Sequence, residues 1–304
     1  MSRDFRKNYY SSLGVRTVEA RSTLEEALSS ARVDLGLLKR ICLSVKIPRV
    51  LRPLVWSLLL GGVPLFRPIW AFAQAQKTDT FEDLRRASSV LVRDNRRTEY
   101  GPDASLSSLE MVQMLRVRRH MNLIPFVVPS LSHKGSHLAA IADCVNEICD
   151  GRSEAEAFWI FALLVDKLAV AVDEGDPGEK EALGRCQGMW ELVDVHAPSI
   201  IQHLTWIVVK PNAFVGWYLS FYASVMPPHC LEGLWDATLS GAPDILDYLG
   251  LSLLLASKRK VEACKTEADF MRLLVKIDDF VDVDAVSATA VDLWIKSRKP
   301  GSSI

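Results

Sequence analysis

Two histidines four residues apart, His133 and His137, have the spacing of a metal-binding pair on one helix face. A zinc peptidase needs Glu directly after the first histidine. Here that residue is Lys134, Gly135 interrupts the segment, and no third ligand is suggested. The pair fits a polar loop leading into a helix at 138–149. The cysteines at 42, 144, 149, 186, 230 and 264 include no C-x-x-C pair, so they read as reduced, mostly buried thiols. Neither a P-loop, a dinucleotide-binding glycine motif nor a nucleophile elbow occurs. His120, His196, His203 and His229 each stand alone in helical or turn contexts, as structural histidines do. One stretch keeps a chemical question open: "GRCQGMWELV" (184–193), where Gln187 sits beside Gly188 in a helical pattern. What Gln187 can do depends on where its helix lies among the others.

Helical spacing dominates the elements that would position these residues. "STLEEALSSAR" (22–32) offers Ser22 and Thr23 as caps, Glu25 and Glu26 in the first turn, and Leu24 and Leu28 for burial. "EAEAFWIFALLVDKLAV" (154–170) and "ILDYLGLSLLLAS" (245–257) are apolar nearly all round, which predicts helices surrounded by other helices. "ADFMRLLVKI" (268–277) has one apolar stripe and belongs on the surface of the bundle. Gly and Pro punctuate the chain between such segments, and neither alternating strands nor a fixed repeat is apparent. The 304 residues therefore read as all-α, with 49% hydrophobic and 24% charged residues, the balance of a folded soluble protein.

A net charge of −1 does not point to nucleic acid, no apolar run is long enough for an integral membrane segment, and the start lacks the apolar run of a secretory signal. The charge is unevenly placed. Between 84 and 120, arginines 85, 86, 93, 96, 97, 116, 118 and 119 outnumber acids 94, 99, 103 and 110. Between 173 and 194 the acids dominate, with only Lys180 and Arg185 opposing them. Two solvated faces are the plain interpretation; a basic surface for an acidic helix or a lipid headgroup is the sharper one.

Three blocks, in order, carry a resemblance. "LRPLVWSLLLG" (51–61) is similar to the R-x-x-x-W-x-x-L-L-G block of TBC-domain proteins, the Rab GTPase-activating family. "EAEAFWIFALLVDKL" (154–168) resembles that family's E-A-F-W helix, and "FVGWYLSFYASVMPPHCLEGLWDATLSGAPDIL" (214–246) its C-terminal W-D block. The matching structural positions are Arg52, Trp56, Gly61, Phe158, Trp159, Trp217, Trp235 and Asp236. The large rings among them suit core packing, and none suggests a cofactor. The resemblance implies an all-α, two-lobed TBC domain over 45–296, with a helical N-terminal extension over 1–44 packed on it and a frayed tail at 297–304.

Active members of the family carry I-x-x-D-x-x-R and Y-x-Q-G before the E-A-F-W helix. Their arginine neutralises charge on the transferring phosphoryl group and their glutamine orients the attacking water. Here the first block falls at "LRRASSV" (84–90), with Ala87 at the Asp place and Val90 at the Arg place. The second falls within 112–132, which has no Y-x-Q-G; Gln113 is its single glutamine. Arg85, Arg86 and Arg93 are near in sequence but stand at other angles round a helix turning 100° per residue. Gln187 follows the E-A-F-W helix, so its trio is in the wrong place. The resemblance thus implies no catalytic residue, no metal and no cofactor.

The flanks "DFRKNYYSSLGVRTVEARSTLEEAL" (4–28) and "ATAVDLWIKSRKPGSS" (288–303) resemble the branch of the family that forms the small third subunit of the tuberous sclerosis complex. That implies a silent TBC domain binding the coiled coil of a hamartin-like scaffold. A tuberin-like subunit would activate Rheb's GTPase and restrain TOR signalling, in the cytoplasm and at lysosomal or vacuolar membranes. The candidate contact residues lie at the former finger site: Phe72, Phe81, Leu84, Val90 and Leu91, rimmed by Arg85, Arg86 and Arg93. Leu84 and Leu91, seven apart on one stripe, also suit a core-facing row. Two rivals stay open: an active Rab GTPase-activating protein using displaced residues, and a TBC domain that holds a small GTPase or a phosphoinositide without catalysis.

Overall fold

The structure, a computed structural model, describes residues 21–91, 106–120, 136–168 and 177–298. Its helices run α1 (21–29), α2 (Leu35–Ser44), α3 (Arg52–Leu59), α4 (Trp70–Leu91), α5 (Ser108–His120), α6 (Ser136–Ile148), α7 (Glu154–Lys167) and α8 (Pro177–His196). They continue through α9 (Pro198–Trp206), α10 (Val215–Leu219), α11 (Pro228–Leu239), α12 (Ile245–Ala256), α13 (Lys258–Ala263), α14 (Glu267–Val275) and α15 (Val283–Ser297). Among the described residues no strand forms, as the apolar spacing predicts.

The starts of these helices follow from their first residues. Asp34, Ser153 and Asp282 accept hydrogen bonds from Leu37, Glu156 and Ala285 N–H groups, at 3.0, 3.2 and 3.1 Å, capping α2, α7 and α15. Thr266 and Asp269 close a reciprocal capping box on α14, and hydrogen bonds from Thr266 and Arg272 hold the Asp269 carboxyl below its usual range. Proline opens α3, α9 and α11, where its missing N–H is one that a helix leaves unbonded anyway.

The start of the chain departs from expectation. Ser22 and Thr23 lie inside α1, after Arg21, and the helix ends at 29. The early end has a tertiary reason. The backbone at 31–33 runs beside 65–67, with Val33 N donating to Leu65 O at 2.8 Å and Arg67 N to Ala31 O at 2.9 Å. Leu24 and Leu28 are buried as their spacing requires.

The helices form two lobes. In the first, α4 packs on α5 and α7, α6 joins α5 and α7, and α3 lies on α7. In the second, α8 packs on α9, α10 and α12, and α15 lies along α12. Helix α11 touches both groups, meeting α2, α3 and α6 on one side and α12 and α15 on the other. At that seam the Arg52 side chain is wholly buried. Its Nε lies 3.1 and 3.2 Å from the two Asp236 carboxylate oxygens, Nη2 donates to Asp236 at 3.1 Å and to Ile47 O at 2.9 Å, and Nη1 donates to Glu232 at 2.6 Å. Trp56 Nε1 donates to Asp236 at 2.7 Å, and its ring tilts against Trp235 with centroids 5.9 Å apart. Burial pushes the Asp236 carboxyl up to about 6, against the pull of Arg52 and Trp56.

Close approach within the second lobe rests on Gly250. A Cβ there would stand 2.1 Å from Met189 Sδ and 2.6 Å from Tyr222 Oη, so a larger residue would have to push both side chains aside where α12 meets α8. Gly61, with φ +75°, ends α3 in the left-handed region that favours glycine.

Two stability predictions follow from this packing. Asp236→Ala leaves Arg52 buried without its two-toothed partner and is expected to cost about 3–5 kcal/mol in urea unfolding. A loss below about 1 kcal/mol would mean the seam is held by something else. Gly250→Ala is expected to lower stability by about 1–3 kcal/mol through overpacking, with no change in helix content by circular dichroism.

Candidate functional site

Helix α4 carries the positions where the resemblance places the finger arginine, and two rows of side chains set its orientation. Phe81, Leu84 and Ser88 point inward, where Phe81 meets the Phe158 ring of α7 at 5.7 Å. Trp159 Nε1 donates to Lys77 O at 3.0 Å, and the Lys77 ammonium lies 5.5 Å from the centre of the Trp159 ring. Burial in this contact lowers the Lys77 amine to about 8. These contacts fix the opposite side of α4 as the solvent face. Phe72, Gln76, Asp79, Asp83, Arg86 and Val90 lie along it, all exposed, at alternating intervals of four and three. That interval is the 3.5-residue repeat by which helices pair in coiled coils.

At the finger positions themselves, Ala87 is half-buried and Val90 is 69% exposed. Neither carries a donor. The nearby arginines are engaged elsewhere. Arg85 clamps three helices together, its Nε donating to Glu110 of α5 and its Nη1 to Glu154 of α7, both at 2.8 Å. Glu154 uses its other oxygen to accept from Leu106 N at 2.6 Å. Partial burial by itself lowers the Arg85 pKa, but the two carboxylates hold it above its ordinary value. Arg86 pairs with Asp83 on the surface. Arg118 and Arg119 share Asp166 at 2.7 and 3.0 Å, and Arg116 is buried. Of the basic run expected from the sequence, most of what is described is thus drawn into internal pairs.

The glutamines are not brought to this place. Gln187 is exposed on α8, in the second lobe, where its Nε2 donates to Glu191 one turn on at 2.9 Å. Gln113 is half-buried on α5.

The proposed contact residues divide between the two sides of α4. Phe72 is 69% exposed and, with Val90, remains available to a partner. Phe81 is not available: the sequence placed it among the contacts, but its ring fills the space against Phe158 and is 5% exposed. Leu84 is likewise buried and serves the core-facing row. The Leu91 side chain, Arg93 and His133 lie outside the described residues. Two exposed apolar residues went unnoticed in sequence, Phe66 and Ile69, beside Phe72 at the start of α4. They sit among Pro64 and Pro68, a setting that marks a loop and hides an apolar surface.

Of the structural positions, Arg52, Trp56, Phe158, Trp217, Trp235 and Asp236 are buried, Trp159 is half-buried, and Gly61 is exposed at its turn.

No family model matches this chain. Among curated proteins, TBC1 domain family member 7 of Bos taurus is 24% identical over 295 residues, covering 97% of this chain and 95% of that protein. The Homo sapiens protein of the same name is 24% identical over 295 residues, and that of Danio rerio 23% over 294. Each again covers 97% of this chain and 95% of the relative. Among solved structures, the Ypt/Rab-GAP domain of Gyp1p superposes with a TM-score of 0.63 at 14% identity, covering 92% of this chain and 99% of that one. The Chlamydomonas flagellar RabGAP TBC domain superposes with a TM-score of 0.58 at 17% identity, covering 95% and 94%. With the two-lobed helical arrangement and the Arg52–Asp236 seam in place, the chain has the fold of the solved Rab-GAP TBC domains and resembles TBC1 domain family member 7 along nearly its whole length.

Proposed function

We propose that this TBC domain is a catalytically silent subunit that docks the coiled coil of a hamartin-like scaffold through the solvent face of α4. A tuberin-like subunit of the same complex would then supply GTPase activation toward Rheb, restraining TOR signalling. The complex would act in the cytoplasm and on lysosomal or vacuolar membranes. The observation that carries this reading is the exposed Val90 at the place of the family's arginine. One exposed valine is ordinary on its own; a second apolar side chain on the same face is what makes a strip. Phe72 lies on the same side of α4, 18 residues away, which is five turns or about 27 Å. Two apolar anchors with Gln76, Asp79, Asp83 and Arg86 between them suit a helical partner that presents its own 3.5-residue repeat.

The likeness to two solved Rab-GAP domains favours a second reading, a Rab GTPase-activating protein. Against it stands the chemistry at 87 and 90. An arginine finger contributes about 10³–10⁵ in rate, and neither Ala nor Val can replace it.

Purified protein is therefore expected to leave GTP hydrolysis by a panel of Rab proteins within a few-fold of its intrinsic rate, and Gln187→Ala is expected to change nothing. Catalysis that Gln187→Ala abolishes would restore the enzyme reading. In a pull-down with a hamartin-like coiled coil, Val90→Glu and Phe72→Glu should each weaken binding at least tenfold, as loss of an anchor worth ~2 kcal/mol does, with melting curves unchanged. Phe81→Glu should instead unfold the domain, because it buries an unpaired charge. Wild-type affinity in both surface mutants places the interface elsewhere.

A further inference from the structure

The first turns of α11 and α15 meet at one corner of the second lobe, and three side chains with metal-binding atoms converge there. His229 and Cys230 lie in the opening turn of α11, and Asp284 is the second residue of α15. An Asp284 oxygen lies 3.5 Å from His229 Nε2 and 3.4 Å from Cys230 Sγ, and the three donor atoms fall within 4.8 Å of one another. Atoms bound tetrahedrally to zinc at their usual distances of about 2.0–2.3 Å stand about 3.3–3.6 Å apart. Both distances to Asp284 already have that length. The backbone beneath is braced independently, since Ser287 Oγ of α15 donates to Cys230 O at 3.0 Å.

We propose that this corner binds a borderline-soft divalent cation of the zinc class through His229 Nε2, Cys230 Sγ and an Asp284 oxygen, with a fourth position open to water. The donor set decides the class. An imidazole, a sulfur and a carboxylate suit zinc, whereas magnesium and calcium seek oxygen alone. Binding removes the Cys230 thiol proton to solvent as the metal–sulfur bond forms, leaving thiolate and carboxylate to balance the two charges of the cation. The positive ends of the two helices oppose a cation here. Asp282, which caps α15 through Ala285 N at 3.1 Å, adds a third negative charge beside the site. Access is open, with His229 and Asp284 side chains 59% and 78% exposed. The cation would pin α15 to α11, the helix that carries Asp236 to the seam.

The test uses the purified full-length chain under reducing conditions, titrated with Co²⁺ as a spectroscopic stand-in and then with Zn²⁺. One equivalent of Co²⁺ should produce a near-ultraviolet thiolate-to-cobalt band that Zn²⁺ bleaches, and Zn²⁺ should raise the melting temperature by a few degrees. Asp284→Asn, at an exposed position, should keep the circular dichroism spectrum and lose at least tenfold in metal affinity; Cys230→Ser should abolish the band. Without metal, the same groups make a thiol-to-carboxylate hydrogen bond and an imidazole–carboxylate pair. No band in the wild type means they do only that, and overturns the proposal. A band that survives in Cys230→Ser, or an affinity unchanged in Asp284→Asn, overturns it equally by placing the metal at other residues.

Discussion

A guanidinium with no exposed surface must find its acceptors inside the protein, and each of the three Arg52 side-chain nitrogens does so at the boundary between the lobes. Its partners come from a loop before α3 and from α11: Ile47 O, Glu232 and both oxygens of Asp236. A neighbouring indole, Trp56, completes the coordination of Asp236. Such a cluster adds little net stability compared with an apolar contact of the same size, because desolvation offsets much of the attraction. What it does impose is register. Sliding α11 along α3 by one turn would strand a charge in the core, so the lobes have one way to meet. The rest of the molecule, including the direction in which α4 faces, inherits that arrangement.

Helix α4 shows how the constraint reaches the surface. Its inward row packs on α7, and α7 packs in turn on α3, which carries Arg52. Arg85 adds a second fastening by tying α4 to α5 and to the start of α7. With these held, the side that bears Phe72 and Val90 has nowhere to turn but outward. On the proposed reading, the place of the family's arginine holds Val90, a hydrophobic side chain on the solvent face of α4, which would suit recognition of another helix better than chemistry on a phosphate.

Charge is spent internally more than the sequence suggests. Arg85, Arg118 and Arg119 all face carboxylates from helices distant in the chain, and Arg185 binds Asp247 at 2.8 Å while its guanidinium lies over the Tyr218 ring at 5.3 Å. Half-exposed pairs of this kind contribute modestly to stability and, among the described residues, offset part of the basic charge that would draw in an acidic partner from a distance. Binding by α4 on this reading depends on its apolar anchors first and on rim charge second.

Sequence alone indicated the helical class, the buried helices that form as α7 and α12 and the single-striped helix that forms as α14, because side-chain period and residue type are local properties. It also singled out Arg52, Trp56, Trp235 and Asp236 as structural positions through their resemblance to one family's blocks, without pairing them. It could not separate Phe81 from Phe72 and Val90: the apolar residues of α4 do not fall on one stripe, and which of them is covered depends on α7, some 80 positions away in the case of Phe158. The same holds where α1 stops, since the 31–33 backbone is claimed by 65–67. It holds again at Phe221 and Tyr222, two aromatic residues in the left-handed region at φ 49° and 65°. Their turn is held by Trp235 Nε1 donating to Phe221 O at 3.1 Å and by Tyr222 N donating to Trp217 O at 2.7 Å. In each case a contact distant in sequence outweighs a local preference of a kcal/mol or so, and only the tertiary structure contains that contact.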